Sequence, residues 1–99
     1  MPAAPAPTTV DVVSTSNPSL NGTFSITTDI QMKLQAVALY IMVNGKFPAN
    51  QAALPWMDVT GNPHVFATTA SFQAFASAIG DYVTALDLGG SPTTPITIP

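Results

Sequence analysis

His64 and Asp58 are the residues of this chain whose types and spacing bear most directly on chemistry. A histidine and a carboxylate facing each other across a short turn form the beginning of an acid–base pair, and a nearby Ser or Thr would complete a nucleophilic arrangement. Such work also needs a pocket and an oriented partner, and neither is legible here. The expectation for His64 is a structural hydrogen bond or a solvated edge position, and no catalytic residue is assigned. One histidine among scattered aspartates supplies too few ligands for a transition-metal site. Asp58-Val59-Thr60-Gly61-Asn62 lacks the alternating acidic positions and closing Glu of a calcium loop, and Val59 separates Asp58 from Thr60-Gly61, unlike the contiguous Asp-Thr-Gly of aspartic proteases. A tight turn is the expected role. No cofactor and no metal are expected.

Aromatic side chains offer a second kind of site. Trp56, Tyr40 and His64 are candidate ligand contacts, since aromatics on a loop-borne hairpin stack on sugar rings or on a partner surface. A carbohydrate- or receptor-binding module is the alternative function this implies. The competing expectation is that Trp56 caps a small core. Asn21-Gly22-Thr23 has the form of a glycosylation sequon but reads as a turn, and no phosphate loop, nucleophile elbow or metalloprotease motif is present.

The elements that position these residues follow from periodicity and turn chemistry. Val10–Val13 reads as a β-branched strand and Thr23–Ile26 as a second, with Asn17-Pro18 and Asn21-Gly22 as turns between them. A first helix begins with Thr28 as N-cap and Gln31 completing a capping box, and stops at Asn44-Gly45. Ile30, Leu34, Val37, Ala38 and Ile41 recur at helical spacing, yet Met32, Ala36, Leu39, Tyr40, Met42 and Val43 make the rest of this helix apolar as well. A helix apolar nearly all round must be covered on every side. The candidate interface is therefore Met32, Leu39, Tyr40, Met42 and Val43. Leu54–Asp58 and His64–Phe66 flank a Gly61 turn and predict a hairpin, which Pro55 and Pro63 confine to an edge. A second helix from Thr68 or Thr69 to about Leu88 carries the stripe Phe72, Phe75, Ala76, Ile79, Tyr82, Val83 and Leu86, and its Gly80 predicts close packing against the first helix.

These readings give an α+β fold: two antiparallel helices packed with a small β-hairpin and short N-terminal strands. Residues 1–9 are expected as a Pro-rich N-terminal arm, 10–88 as one small domain, and 89–99 as an extended Pro/Thr-rich C-terminal arm, because proline-rich chain builds neither helix nor central strand. Only 7% of residues are charged, against about 25% in an ordinary soluble domain. The net charge of −3 argues against nucleic acid or an anionic membrane as partner. No apolar run approaches the ~20 residues that span a bilayer, and no signal peptide is legible at Met1. Sparse charge leaves a surface suited to being covered by neighbours.

Asn21-Gly22-Thr23-Phe24, the helix end Tyr40-Ile41-Met42-Val43-Asn44-Gly45, the stretch from Leu54 to Phe66, and Phe72-Gln73-Ala74-Phe75-Ala76 with Tyr82-Val83 follow one another along the chain. In this the segment from Phe24 to Leu86 resembles a short domain of unknown function found in phage and prophage proteins, often near the ends of tail or tail-fibre polypeptides. The resemblance implies a virion-associated, non-enzymatic module, made in the bacterial host cytoplasm with other virion proteins as partners, or in the alternative a tail-fibre module that binds a glycan or host receptor. It supplies no catalytic residues. The apolar helix and small core add further copies of the chain itself as expected partners. The expected function is a structural or assembly component, tail-associated or of the decoration type.

Overall fold

A computed structural model of the chain describes residues 7–99; most of the expected N-terminal arm lies outside them. The order of elements is β1 (Thr9–Ser14), β2 (Gly22–Ser25), α1 (Thr28–Asn44), β3 (Leu54–Met57), β4 (Pro63–Phe66), α2 (Thr69–Asp87) and β5 (Ile96–Ile98), with 3-10 turns at Pro18–Leu20 and Pro48–Asn50. The fold is α+β, as its periodicities predict. β1 lies at the centre of a three-stranded sheet, antiparallel to β2 and parallel to β5, while β3 and β4 form a separate antiparallel hairpin.

Strict alternation drives β1: Val10, Val12 and Ser14 are buried and the residues between them exposed. Val10 and Phe24 are cross-strand partners on the core face. The segment 89–99, expected as an arm outside the domain, turns back and supplies β5. Ile98 is buried, Thr15 N–H donates to the Ile98 carbonyl at 2.9 Å, and the buried Ser14 hydroxyl donates to the Pro99 carbonyl at 2.9 Å. β5 occupies an edge, where the flanking prolines cost no ladder bonds.

α1 begins one residue earlier than its capping box predicts. Thr27 is the N-cap and makes no side-chain cap bond, and Gln31 donates through Nε2 to the Ile26 carbonyl at 2.6 Å instead. Gly45 closes the helix in the left-handed conformation, φ +69°, its N–H on the Ile41 carbonyl. α2 starts at Thr69, within the expected bounds, and Thr68 is its N-cap, accepting from Ser71 N–H at 3.1 Å. The inward stripe of α2 is the centre of the core: Phe72, Phe75, Ile79 and Tyr82 are buried, and Phe24, Phe66 and Trp56 pack their rings on Phe72 or Phe75.

Gly80 does not mark the close helix contact expected of it. A Cβ there would meet nothing within 4 Å, because the residue is exposed along an open groove between α1 and α2. Sequence position alone cannot tell a glycine that admits a neighbour from one that merely lacks a side chain. Gly80→Ala should therefore stabilise the fold by about 0.5–1 kcal/mol, through helix propensity and a less flexible unfolded chain. Chemical denaturation checks this; an unchanged or lower midpoint would contradict it.

Candidate functional site

The turn between β3 and β4 is organised by one carboxylate. Asp58 Oδ1 accepts from the Thr60 N–H at 2.9 Å, the Thr60 hydroxyl at 2.6 Å and the Asn62 N–H at 3.0 Å. Gly61, at φ +84°, provides the left-handed step that a tight turn needs. The other oxygen, Oδ2, lies 2.8 Å from His64 Nε2. His64 Nδ1 is 2.8 Å from the Ser19 carbonyl oxygen. A carbonyl only accepts, so Nδ1 carries a proton; facing an ionised carboxylate, Nε2 carries one too. The geometry is that of an imidazolium donating from both nitrogens.

The electrostatics agree with this protonation. Hydrogen bonding from Thr60 first, then from His64, holds the Asp58 carboxyl well below the usual carboxylate range. For His64, burial by itself disfavours the charge, but the bonds to Asp58 and Ser19 and the Asp58 charge outweigh it, and the net direction is upward.

His64 sits in a fitted slot. Its ring meets Phe24 edge-on with centroids 5.0 Å apart. A Cβ on Gly22 would stand 3.0 Å from the imidazole, so any larger residue would push the ring by a few tenths of an ångström. Val59 N–H donates to the Thr23 carbonyl at 3.0 Å and seals the turn onto β2. The pair thus ties three parts of the chain together: the β3–β4 turn, the Pro18–Leu20 turn and β2. What it does not offer is a free nitrogen lone pair for a general base, since each ring nitrogen already faces a structural partner. Sequence reading found Asp58 and His64 but missed Ser19 and Gly22. Ser19 contributes only its carbonyl, which has no residue-type signature, and Gly22 reads as part of an Asn-Gly turn.

The candidate ligand contacts do not form a common stacking surface. Trp56 and His64 are cross-strand partners whose side of the hairpin faces the core. Trp56, half-buried, packs on Phe72 and Phe75, while His64 packs on Phe24. Tyr40 is half-buried on α1. Outward from the hairpin point Pro55, Met57, Pro63 and Val65 instead, all exposed, with Pro55 opposite Val65 and Met57 opposite Pro63. The period-2 alternation of the strands puts the aromatics on the opposite face from these residues.

The candidate interface is laid out differently. Leu34 and Ile41 are the buried residues of α1, whereas Met32, Leu39, Met42 and Val43 are 56–72% exposed. The domain covers one face of this helix and leaves a second apolar face to solvent. Between the helices, the groove of about 330 Å³ is lined by Gln31, Gln35, Gln73, Ser77, Thr84 and Asp87 among others, and contains neither His64 nor Asp58. Among the described residues, no three His, Cys, Asp or Glu side chains are grouped to hold a metal ion, and no helix is long and apolar enough to cross a membrane. Comparison with known proteins finds no matching family model, curated protein or solved structure.

Proposed function

We propose that this chain is a non-enzymatic assembly module, a structural component of a phage-like virion of the tail-associated or decoration type. It works through apolar protein–protein contacts, with other virion proteins and further copies of itself as partners. The observation that carries this reading is the exposure of Met32, Leu39, Met42 and Val43 on a single helix of a small domain. Contiguous apolar patches of this kind are characteristic of interaction surfaces. The outer face of the hairpin, with Met57 and Val65 each at least 50% exposed, adds a second such surface. Scarcity of charge supports the same reading, because little electrostatic repulsion opposes close approach of neighbours. The virion setting rests on the ordered residues that resemble the phage domain.

Methionine footprinting tests the reading. In the dilute free chain, Met32 and Met42 should oxidise readily to the sulfoxide, since both side chains are open to oxidant. In virus-like particles purified from the cells that make the chain, it should co-purify with the particle, and both methionines should be protected by about tenfold or more in rate. Absence of the chain from such particles, or equal oxidation in both states, would overturn the proposal.

A further inference from the structure

The open face of α1 carries a finer pattern than general apolarity. Asp29, Met32, Ala36, Leu39 and Val43 follow one another at alternating spacings of three and four residues, and the next position in the series is Lys46, one residue past the Gly45 cap. That alternation of three and four is the spacing at which a coiled-coil seam repeats. Leu34 and Ile41 lie on the opposite side of the helix, in the domain's own core.

The seam complements itself when reversed. With one helix turned end for end against another, Met32 faces Val43, the small Ala36 faces Leu39, and Asp29 meets the chain end that carries Lys46. Each large side chain then meets a smaller one, and an acidic residue comes near the opposite chain end, where Lys46 follows the helix and within its own chain donates to Asn50 Oδ1 at 2.8 Å. A parallel pairing would instead set Asp29 against Asp29 and Lys46 against Lys46, and would leave two Ala36 residues facing across a gap. Side by side, antiparallel helix dipoles attract and parallel ones repel, which favours the reversed arrangement as well.

We infer that α1 is covered by α1 of a second copy of this chain, antiparallel about a two-fold axis between residues 37 and 38. This inference rests on the reading of α1 as an assembly face and names its occupant. The contact is isologous, so it closes at a dimer and does not propagate. One helix face per copy is a small interface, near the ~1,000 Å² floor for a specific contact. The dimer should accordingly dissociate on dilution into the micromolar range.

Sedimentation equilibrium between about 1 μM and 1 mM reads this directly. Wild type should show a monomer–dimer equilibrium. Leu39→Lys should weaken it by about 100-fold, because a charge would be buried at the centre of the seam. Compared at about 1 μM, where both chains are monomeric, its circular dichroism and melting temperature should match wild type, since Leu39 lies outside the core and only the lost dimer separates the two at higher concentration. Asp29→Lys should weaken the dimer, and Asp29→Lys combined with Lys46→Asp should restore it. Orientation is read by cross-linking, which the lack of native cysteine makes unambiguous. Met32→Cys combined with Val43→Cys should form disulfide-linked dimers. Met32→Cys alone should not, since in the reversed register the two positions lie about 16 Å apart along the helix axis, beyond disulfide reach.

A wild-type monomer at about 1 mM, or efficient self-linkage of Met32→Cys, would overturn the antiparallel pair. The outcomes separate this inference from the broader one. A monomeric free chain whose Met32 and Met42 are still protected in particles removes the self-pairing and leaves the assembly role standing. A dimer that never enters particles does the reverse.

Discussion

Phe75→Ala is expected to cost about 3–5 kcal/mol, the range for removing a buried aromatic and leaving a cavity behind. Phe75 is wholly buried, and its ring lies 4.9 Å from that of Phe24, 4.8 Å from Phe66 and 6.5 Å from Trp56. Through these contacts one side chain of α2 joins β2, β3 and β4. A domain of this size has a total stability of about 5–15 kcal/mol. The substitution should therefore lower the melting temperature by roughly 15–30 °C. Trp56 is the natural reporter for urea unfolding, since it packs on Phe72 and Phe75. Leu88→Ala is the control: at 83% exposure it should change the midpoint very little. A Phe75→Ala cost under about 1 kcal/mol would contradict the packing described.

His64→Ala should destabilise by about 2–3 kcal/mol and should also change how stability depends on pH. The imidazolium side chain is only 11% exposed and that of Asp58 10%, so the ion pair is largely sheltered from solvent. His64 titrates above its ordinary value of about 6.5 when folded. Its stabilisation is complete below about pH 6.5 and is lost as pH rises through the raised folded value. Asp58 behaves in the opposite sense. Its folded value is depressed, so its contribution is complete above the ordinary value of about 3.9 and is lost as pH falls through the folded one. Stability should therefore be highest between about pH 4 and 6.5 and should decline on the alkaline side. In His64→Ala that alkaline decline should disappear. Asp58→Asn should retain the turn in part but reduce the decline, because the anion that raises His64 is gone. Urea midpoints from about pH 5 to pH 9 decide the matter; a flat wild-type profile would contradict the doubly donating imidazolium.

The parts of this fold that are legible in the sequence are those governed by local rules. The stripe from Phe72 to Leu86 has the helical period, and its inward residues are the ones buried. Gly61 sits where a tight turn needs positive φ, and the hairpin forms around it. Thr68 caps α2 because a side-chain oxygen three residues before a free N–H satisfies it wherever the rest of the chain lies. The less legible features all depend on what comes near in space. Proline content correctly keeps β5 away from the sheet centre, but nothing local shows that Ile96–Ile98 reaches β1. Gly80 and Gly22 are the same residue type with opposite surroundings, one facing an open groove and the other an imidazole. The capping box at Thr28 was displaced by a single residue, a shift that local competition between adjacent threonines does not decide.

The sequence by itself determined that chemistry has few residues to work with, that two helices and a hairpin must form, and that α1 is apolar on more than one face. Tertiary structure decided which of those faces is covered. Leu34 and Ile41 belong to the core, while Met32, Leu39, Met42 and Val43 lie outside it and stay 56–72% exposed. It also decided the state of the one histidine, because the Ser19 carbonyl that fixes its second proton comes from a turn 45 residues away. The physical reason is the same in both cases. Period and propensity are properties of neighbours along the chain, whereas burial and protonation are set by neighbours in space.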